Sequence, residues 1–381
     1  MRIAIVRKKY TFHGGAEGFS QNFIRQLADT GHEVHLYAMK WEGSSLTRNL
    51  FFHKVPAVAF NSFLRDLSFS ISSFIMLRKK REFFDIIQSH DKTIYQDIYR
   101  AGDGCHIEWL RQRWGRKGVL GKLFIILNPY HWLILCMERI IFKGHRFNKI
   151  IAISELVKKN IIENYNVDKR FIEVIYNGVD LERFKPENRD IYRREIQEAY
   201  SIAEDAFTAL FAGSGFERKG LEFLLKAVEL VPVPLTLLIV GKGHEKRFEG
   251  LIKRQRVIFC GPQKEIHKYY AASDVFVFPA LYEPFGNVHL EALASGLPII
   301  TTRQSGAAEI IEDGRQGFVI ENPEDINDIA EKITLIMDRN QWQRMNIEAR
   351  KLAEKFSFEE HMKKIYALYG SIKKNRLSSH L

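Results

Sequence analysis

The stretch Val275–Gly296, which reads VFVFPALYEPFGNVHLEALASG, decides the fold class of its half of the chain. Its first four residues are apolar and predict a buried strand, whereas the apolar spacing after Asn287 predicts a helix. Glu283 and Gly286 lie in the loop between the two. A strand that leads through a short loop into a helix is the repeating unit of a parallel α/β sheet, and ligands bind such sheets where the strands end.

The same pattern extends outward in both directions, because short apolar runs alternate with helical spacing along the chain. This alternation predicts an α/β protein of two Rossmann-like, doubly wound domains. The pattern restarts after the charged residues 180–190, which predicts an N-terminal domain over residues 1–180 and a C-terminal domain over residues 181–357. The predicted strands are Ile3–Val6, Val34–Ala38, Phe51–Val55, Asp85–Ser89, Lys149–Ile153, Phe171–Tyr176, Thr208–Ala212, Thr236–Val240, Val257–Cys260, Val275–Phe278, Ile299–Thr302 and Gly317–Ile320.

The composition narrows the class of protein. The chain has 381 residues, 46% of them hydrophobic and 27% charged, which is typical of a folded protein with two domains of ordinary size. Its three cysteines form no Cys-x-x-Cys pair, which argues against a disulfide framework or a zinc site and favours a reducing cytosol. No apolar run reaches the roughly 20 residues that cross a bilayer, so we expect a cytoplasmic protein or one on a membrane surface.

The loop and helix of the opening stretch carry the sharpest chemical signal. Gly286 allows the backbone to approach a ligand closely, and the amides at the start of the helix suit a diphosphate. Glu283 and Glu291 would repel a phosphate, so we expect them to accept hydrogen bonds from sugar and ribose hydroxyls. The alternative is an ordinary loop residue and a glutamate that interacts with the helix dipole.

A second loop, AGSGFERKG at Ala212–Gly220, follows another predicted strand. It places Arg218 and Lys219 next to each other behind two glycines, and adjacent cations there can neutralise a departing diphosphate. The alternative is a solvated pair of cations, although the helix dipole disfavours cations at a helix start. Near the N-terminus, Gly14-Gly15 allows a similar close approach of the main chain, with a plain turn as the alternative.

Signatures of several other chemistries are missing from the sequence. Gly241-Lys242-Gly243 lacks the third glycine of a dinucleotide fingerprint, and no GxxxxGK(S/T) phosphate loop occurs. There is no Asp-x-Asp and no cluster of His, Cys and carboxylate residues with ligand spacing. We therefore expect neither a cofactor nor a metal ion, and stabilisation of a leaving group falls to cationic side chains and backbone amides.

Taken together, these motifs resemble glycosyltransferase family 4, and the resemblance covers essentially the whole chain. It implies the GT-B fold, in which two Rossmann-like domains face a central cleft and a last helix, at residues 358–381, crosses back to the first domain. It also implies sugar transfer from a nucleotide-sugar with retention of anomeric configuration and without a metal ion. The motifs that carry it are Glu283 and Glu291 with seven residues between them, Arg218–Gly220, Asn177–Asp180 and Phe356–Glu359.

The resemblance also implies roles for individual residues. Glu291 would bind the ribose, and Glu283 would bind the hydroxyls of the donor sugar. Arg218 and Lys219 would hold the diphosphate. Pro262 has no N–H to donate, so base recognition there would rest on a carbonyl or a neighbouring amide. The expected donor-binding residues are Gly14, Gly15, Gly213, Arg218, Lys219, Pro262, Glu283, Phe285, Gly286, Asn287, Val288 and Glu291.

The N-terminal half is most similar to the branch of the family that adds glucose to the inner-core heptose of lipopolysaccharide, for example at Ala101–Cys105. This similarity implies UDP-glucose as the donor and a lipopolysaccharide core, or another lipid-linked glycan, as the acceptor. Asp103 would then face the reacting sugar as a polar contact or proton acceptor, with an ordinary turn aspartate as the alternative. The candidate catalytic residues are Asp103, Glu283, Arg218 and Lys219.

The segment 109–149 carries much of the positive charge. Between Glu108 and Lys149, nine Lys or Arg stand against two Glu, which accounts for +7 of the net +11 of the chain. Tryptophans and aliphatic residues interleave with these cations, which is typical of a helix in the interface of an anionic membrane. The alternatives are core packing of the apolar runs 124–127 and 133–136, and nucleic-acid binding, for which no motif is present. We expect contact with the cytoplasmic face of the inner membrane and no nucleic-acid partner.

Other functions compete with this one. The same fold can transfer another hexose to a different glycan or lipid, or it can hydrolyse or epimerise a nucleotide-sugar. A module that binds a nucleotide-sugar or nucleic acid without catalysis belongs to a different class of protein. The intact set of Glu283, Glu291, Arg218 and Lys219 argues against such an idle module.

Overall fold

The computed structural model of the protein describes residues 1–10, 15–41, 48–144 and 147–378. The chain forms two compact units, one built from Met1–Tyr176 with Met362–Leu381 and the other from Asn177–His361. Each unit contains a parallel sheet and helices, as the alternation of apolar runs predicted. The divisions between the units lie four residues from the boundaries that the sequence placed after residues 180 and 357.

The first unit contains a seven-stranded parallel sheet and a separate two-stranded parallel sheet. Its strands are β1 (Arg2–Val6), β2 (Lys9–Tyr10), β3 (Glu33–Ala38), β4 (Lys40–Trp41), β5 (Leu50–Lys54), β6 (Ile86–Ser89), β7 (Ile98–Ala101), β8 (Lys149–Ala152) and β9 (Ile172–Val174).

The strand order of the large sheet is β5-β3-β1-β6-β7-β8-β9, and β2 pairs with β4 in the small one. From β1 the chain builds outward to β3 and β5, and it then returns to the other side of β1 for β6 and the strands that follow. The winding therefore reverses between β1 and β6, which is where doubly wound sheets bind ligands.

The helices of the first unit cover the strands with amphipathic faces. The first of them buries Phe23, Ile24 and Leu27, which recur at the spacing of one helix face. Single 3₁₀ turns lie at Arg81–Phe83 and Lys169–Phe171. The α-helices are α1 (Gly15–Asp29), α2 (Ser62–Lys79), α3 (His106–Gly115), α4 (Val119–Leu127), α5 (Pro129–Lys143) and α6 (Glu155–Tyr165).

The apolar pattern did not predict β7. Its four residues, IYRA, include Arg100, and an arginine argues against a fully buried strand. The structure nevertheless buries Arg100 and places its guanidinium 4.6 Å from the centre of the Phe19 ring. Contact with an aromatic face that is distant in sequence offsets part of the cost of burying this cation.

Core packing was one alternative predicted for the apolar run 124–127, and this prediction is wrong. In α4, Leu120, Phe124 and Leu127 are 73%, 75% and 66% exposed, and Ile125 is the buried residue of this helix. α5 behaves differently, since it buries Ile134 in the run 133–136. A short apolar run has the same sequence pattern whether it is buried or exposed. Only the packing of α4 in the structure shows that this run is exposed.

No single helix in the described ranges is both long and apolar enough to cross a membrane. α4 and α5 together have the length and composition, but the chain bends by 58° between them. The bend is set by local sequence: Asn128 caps α5 by accepting a hydrogen bond from the Tyr130 amide, and Pro129 occupies the first helical position.

The second unit contains one six-stranded parallel sheet with its helices. Short 3₁₀ turns lie at Glu245–Arg247, Glu249–Leu251 and Gly306–Ile310. The elements are α7 (Asn188–Ala199), β10 (Thr208–Ala212), α8 (Leu221–Val228), β11 (Thr236–Val240), β12 (Arg256–Gly261), α9 (Ile266–Ala272), β13 (Val275–Phe278), α10 (Asn287–Ala294), β14 (Ile299–Thr302), β15 (Gly317–Ile320), α11 (Ile326–Ile336), α12 (Arg339–Glu354) and α13 (Phe358–Ser378).

The strand order of this sheet is β12-β11-β10-β13-β14-β15. The chain builds β11 and β12 on one side of β10, and then β13, β14 and β15 on the other. The winding therefore reverses between β10 and β13. The last helix, α13, begins in this unit and belongs to the first unit from Met362 onward.

Two motifs far apart in sequence pair within the second unit. The Val179 amide donates to the Phe356 carbonyl, and the Phe358 amide donates to the Val179 carbonyl, each at 3.0 Å. These bonds form a parallel bridge between Val179 and Ser357. Gly178 packs against the bridge without room for a side chain, because an added Cβ would lie 2.5 Å from the Cα of Phe358. Backbone hydrogen bonds therefore hold the stretches 177–180 and 356–359 together at the start of α13.

Gly220 allows the loop after β10 to pack closely against the loop after β13. Its φ is +76°, and an added Cβ would overlap the carbonyl oxygen of Pro279. We expect Gly220→Ala to lower the free energy of unfolding by about 2 kcal/mol or more, because left-handed strain adds to a clash with backbone. Equilibrium unfolding in urea measures the change. Gly250→Ala is the matched control, since an added Cβ there meets nothing within 4 Å; equal losses in the two variants would contradict the expectation.

Candidate active site

The predicted site residues of the second unit lie where the winding of its sheet reverses. The loop after β10 carries Arg218 and Lys219, and the loop after β13 carries Glu283. A backbone hydrogen bond from the Leu281 amide to the Arg218 carbonyl, at 3.0 Å, joins the two loops. Loops that are distant in sequence therefore meet at the carboxyl edge of the sheet, as a ligand site in a doubly wound sheet requires.

Glu283 is the centre of a compact charge cluster. Its Oε2 lies 3.1 Å from Nη1 of Arg218 and 3.6 Å from Nζ of Lys219, and its side chain is buried. Burial alone would raise the pKa of Glu283, but the charges of Lys219 and Arg218 outweigh it and lower the pKa. Glu283 is therefore an anion. The cations predicted to hold a diphosphate are direct partners of the carboxylate predicted to hold the sugar.

Both cations also have anchors that do not involve this carboxylate. Nη1 of Arg218 donates to the Tyr282 carbonyl at 2.8 Å. Nζ of Lys219 lies 5.0 Å from the centre of the Phe278 ring, within the range of a cation–π contact. Gly213 leaves the space that this lysine occupies, because an added Cβ would lie 2.7 Å from Nζ.

The loop around Glu283 is held from both sides. The Glu283 amide donates to the Gln304 carbonyl at 3.0 Å, and the Gly306 amide donates to the Glu283 carbonyl at 2.9 Å. Gly286 then takes a φ of +83°, and an added Cβ would lie 2.7 Å from Nδ1 of His289. α10 begins directly after this glycine without a side-chain cap. A helix start of this kind carries N–H groups and a positive partial charge, which suit an anion.

His289 ties the start of α10 to β14. Its Nδ1 bonds to the Gly286 carbonyl at 2.9 Å and its Nε2 to the Thr301 hydroxyl at 2.8 Å. Because a carbonyl can only accept, Nδ1 carries the proton and Nε2 accepts. Burial lowers the pKa of His289 to about 4, so the ring is neutral at pH 7.

Glu291 lies on α10 and contacts a tyrosine that the sequence did not single out. The hydroxyl of Tyr270, on α9, donates to Oε2 of Glu291 at 3.0 Å and lies 3.3 Å from the Val288 carbonyl. Burial raises the pKa of Glu291 above its ordinary value, and the hydrogen bond from Tyr270 only partly offsets this rise. A carboxylate that already accepts from one hydroxyl retains acceptor capacity for others, such as those of a ribose.

The remaining predicted donor residues lie in several places. Asn287 accepts a hydrogen bond from Asn177 at 2.6 Å, and Pro262 is exposed directly after β12. Gly15 is the first residue of α1 in the first unit, and Gly14 lies outside the described residues. The residues that the structure brings together at the edge of the second sheet are Gly213, Arg218, Lys219, Glu283, Phe285, Gly286, Asn287, Val288 and Glu291.

The first sheet has a polar cluster at its own reversal point, which the sequence did not single out. Nζ of Lys8, two residues after β1, lies 2.9 Å from Oδ2 of Asp66 and 3.4 Å from Oδ1 of Asp91, which follows β6. Tyr130 donates to Asp66 at 3.2 Å. Burial alone would lower the pKa of Lys8, but the carboxylates outweigh it and raise the pKa. The sequence position of Lys8 and Asp91 could have identified this cluster, because both closely follow the two strands that flank the reversal.

Asp103 lies in the turn after β7 and is exposed. Desolvation alone would raise its pKa, but the positive charges of Lys92, Arg7, Lys8 and Arg100 together lower it. Asp103 is therefore an anion in strongly positive surroundings. The structure places it at the carboxyl edge of the first sheet, and its role toward a sugar stays a prediction.

A buried glutamate supports the turn that carries Asp103. Oε1 of Glu138, on α5, accepts from the His106 amide at 2.7 Å and lies 3.5 Å from Nζ of Lys92. Its other oxygen accepts from the Tyr165 hydroxyl. A fully buried charge without partners is strongly destabilising, so these contacts fix the start of α3 relative to α5 and α6.

A cavity of about 710 Å³ lies at the opposite edge of the first sheet. Its lining includes Arg2 and Glu33, at the amino ends of β1 and β3. No predicted site residue is part of its described lining. The charge clusters at the carboxyl edges of the sheets therefore identify the candidate site, whereas this cavity lies elsewhere.

The buried, neutral His289 makes stability depend on pH. Its pKa is about 4 in the folded protein and near 6.5 when exposed, so the unfolded chain binds more protons between these values. The contribution of this residue is present above pH 6.5 and is lost as the pH falls toward 4. We expect acidification from pH 7 to 5 to lower the free energy of unfolding by about 2 kcal/mol through His289. Urea unfolding of His289→Gln at both pH values should show that much less loss than the wild-type protein, and an equal loss would contradict this.

Two family models match the chain. The model "Glycosyltransferase Family 4" matches residues 13–183, and "Glycosyl transferases group 1" matches residues 192–353. The first match lies in the first unit except for its last seven residues, 177–183, which belong to the second unit. The second match spans the sheet of the second unit.

Individual relatives and solved structures agree with the family models. Lipopolysaccharide glucosyltransferase WaaG of Escherichia coli is 26% identical in an alignment of 347 positions that covers 87% of this chain and 89% of the relative. Sulfoquinovosyl transferase SQD2 of Arabidopsis thaliana is 30% identical in an alignment of 388 positions that covers 93% of this chain and 70% of the relative. The crystal structure of WaaG has a TM-score of 0.81 at 24% identity, covering 96% of this chain and 99% of that one. Anabaena HepE in complex with UDP-glucose has a TM-score of 0.72 at 17% identity, covering 97% and 100%. The chain therefore belongs to glycosyltransferase family 4 and has the GT-B fold.

Proposed function

We propose that the protein is a retaining hexosyltransferase that moves glucose from UDP-glucose to a lipopolysaccharide core or another lipid-linked glycan. The observation that carries the proposal is the cluster of Arg218, Lys219 and Glu283 beside the start of α10. The names of two similar proteins support the choice of substrates. WaaG is a lipopolysaccharide glucosyltransferase, and HepE was solved with UDP-glucose.

The donor is proposed to lie across the reversal point of the second sheet. Its diphosphate contacts Arg218, Lys219 and the first amides of α10, and Glu291 accepts hydrogen bonds from the ribose. Glu283 exchanges part of its contact with the two cations for hydroxyls of the sugar. The anchors of Arg218 on the Tyr282 carbonyl and of Lys219 on the Phe278 ring support the two cations during this exchange.

The proposed reaction breaks the bond between the anomeric carbon of glucose and the diphosphate oxygen. Negative charge grows on that oxygen as the bond lengthens, and Arg218, Lys219 and the helix amides stabilise it. The acceptor hydroxyl forms its new bond on the same face of the sugar, which retains the configuration, and its proton passes to the departing phosphate oxygen. The products are the glucosylated acceptor and UDP, without a covalent glycosyl-enzyme intermediate.

The first unit is proposed to contribute acceptor contacts. Asp103 would accept a hydrogen bond from a reacting or neighbouring hydroxyl, and Asp91, held by Lys8, lies at the same edge of the sheet. We propose no cofactor and no metal ion, since Arg218 and Lys219 supply the positive charge that a metal supplies in other transferases. Within the described ranges, no three His, Cys, Asp or Glu side chains are grouped as metal ligands.

We also propose that the region α3–α5 lies on an anionic membrane surface, at the cytoplasmic face of the inner membrane. The exposed apolar residues of α4 and the 60% exposed Trp132 of α5 give this region its apolar surface. Exposed apolar patches of this kind mark interaction sites, and neighbouring cations favour anionic lipid. The finding that α4 is largely exposed favours this proposal over core packing.

Sugar transfer is tested with a panel of nucleotide-sugars and truncated lipopolysaccharide cores, read by mass spectrometry. With UDP-glucose we expect an acceptor-dependent gain of one hexose that persists in EDTA. Glu283→Ala should lower turnover by about 100-fold or more, because the donor sugar loses its hydroxyl acceptor. The Kd for UDP should change little, because Arg218 and Lys219 keep their other anchors.

The matched control is Glu321→Gln, which removes an exposed carboxylate that is paired with Arg303. Near-normal turnover of Glu283→Ala would remove the role assigned to this residue. Release of free glucose without an acceptor would identify a hydrolase, and conversion of the donor sugar would identify an epimerase. Nucleotide binding without any turnover would identify a binding module.

Membrane contact is tested by co-sedimentation with vesicles that contain phosphatidylglycerol. We expect the double variant Leu120→Ser and Phe124→Ser to bind about tenfold more weakly or worse, because both side chains lose apolar burial in lipid. The control is the double variant Ile191→Ser and Ile347→Ser, which changes apolar residues of the second unit that are 61% and 55% exposed. Equal losses in both double variants, or binding that salt does not weaken, would count against the proposal.

A further inference from the structure

A cavity of about 310 Å³ opens where α3, α4 and α5 meet, at the bend between the two apolar helices. It combines polar side chains on one side with apolar side chains on the other, and no predicted site residue lines it. Its lining is Arg113 from α3, Phe124, Ile125 and Leu127 from α4, Asn128 at the bend, and His131 from α5.

The polar wall of this cavity holds an imidazole nitrogen without a hydrogen-bond partner. His131 is 8% exposed, and its Nδ1 lies 3.1 Å from Nε2 of His106, whereas its Nε2 bonds to no described residue. Burial lowers the pKa of both rings, that of His106 to about 3, so both are neutral at pH 7. When His106 donates to His131, the proton of His131 is on Nε2, and this nitrogen is a buried donor against the cavity.

Arg113 adds a positive charge to the same wall. Its guanidinium forms no ion pair with a described residue, whereas that of the neighbouring Arg111 pairs with Glu108. Arg113 is close enough to His131 for its charge to lower the pKa of that ring. An arginine whose charge is not neutralised, next to a buried imidazole nitrogen that can donate a hydrogen bond and has no described partner, matches the needs of a phosphate oxygen.

The opposite wall is apolar and continues onto the surface. Phe124 and Leu127 line the cavity and are also among the most exposed apolar residues of α4. A pocket with one polar wall therefore opens directly onto an apolar face. A free phosphate ion gains nothing from such a face, whereas a molecule with a phosphate head and acyl chains gains from both walls.

We propose that this cavity binds the phosphate of an anionic phospholipid headgroup, with Arg113 as its charge partner and Nε2 of His131 as its hydrogen-bond donor. The proposal rests on the membrane contact proposed above and makes it specific. The cations of the segment 109–149 are then not equivalent, because Arg113 belongs to a defined site whereas the others contribute to general attraction.

The test uses a soluble short-chain phosphatidylglycerol below its micelle concentration, titrated calorimetrically into the full chain. We expect Arg113→Gln and His131→Phe each to raise its Kd about tenfold, because each removes one charge-assisted contact. Arg116→Gln is the matched control: it removes the same charge from the same segment and should change the Kd less than about twofold. Millimolar inorganic phosphate should not displace the lipid.

Equal weakening by Arg113→Gln and Arg116→Gln would overturn the site in favour of general charge attraction. Displacement by inorganic phosphate would overturn the lipid assignment and leave a simple anion site. His131→Phe keeps a ring of similar size, and the half-exposed Arg113 provides an independent variant if the buried substitution impairs folding. The calorimetric titration contains neither donor nor acceptor, so a lack of lipid binding would not contradict the proposed sugar transfer. If the wild-type protein did not bind vesicles at all, the proposed membrane contact itself would be contradicted.

Discussion

The contact of Glu283 with Arg218 and Lys219 is the interaction on which the site of the second unit depends. A buried carboxylate without partners would be driven to take up a proton, and two adjacent, half-buried cations without an anion would repel each other. The two cations therefore lower the pKa of Glu283, and Glu283 partly offsets the lowering of the Lys219 pKa that burial causes. Since Arg218 and Glu283 come from loops that follow different strands, the same charges that suit chemistry also hold the two loops together.

The backbone around this cluster is shaped so that the charges can approach. Gly213 leaves room for Lys219, Gly220 brings its loop against Pro279, and Gly286 turns the chain into α10 above His289. A side chain at any of these positions would meet a neighbour closer than atoms normally pack. The glycines of the motif loops are thus requirements of packing in this structure, and the approach of a ligand is an additional use of the same space.

The two units carry charge clusters of different composition at the reversal points of their sheets. At the reversal of the second sheet, one anion, Glu283, lies next to two cations. At the reversal of the first sheet, Lys8 lies between Asp66 and Asp91, and Arg65 also pairs with Asp66. An excess of positive charge suits a diphosphate, and carboxylates suit the hydroxyls of a sugar acceptor. This difference is the basis for proposing a donor site in the second unit and acceptor contacts in the first.

By itself, the sequence determined the fold class, the positions of twelve strands and the loops that carry Arg218, Lys219, Glu283 and Glu291, because apolar periodicity and glycine placement are local properties. Only the tertiary structure decided that β7 buries Arg100, that Lys8 lies between two aspartates, that Tyr270 contacts Glu291 and that α4 faces outward. Whether a charge or an apolar run can be buried depends on what packs against it. Those partners come from elements that are distant in the chain, so no local pattern records them.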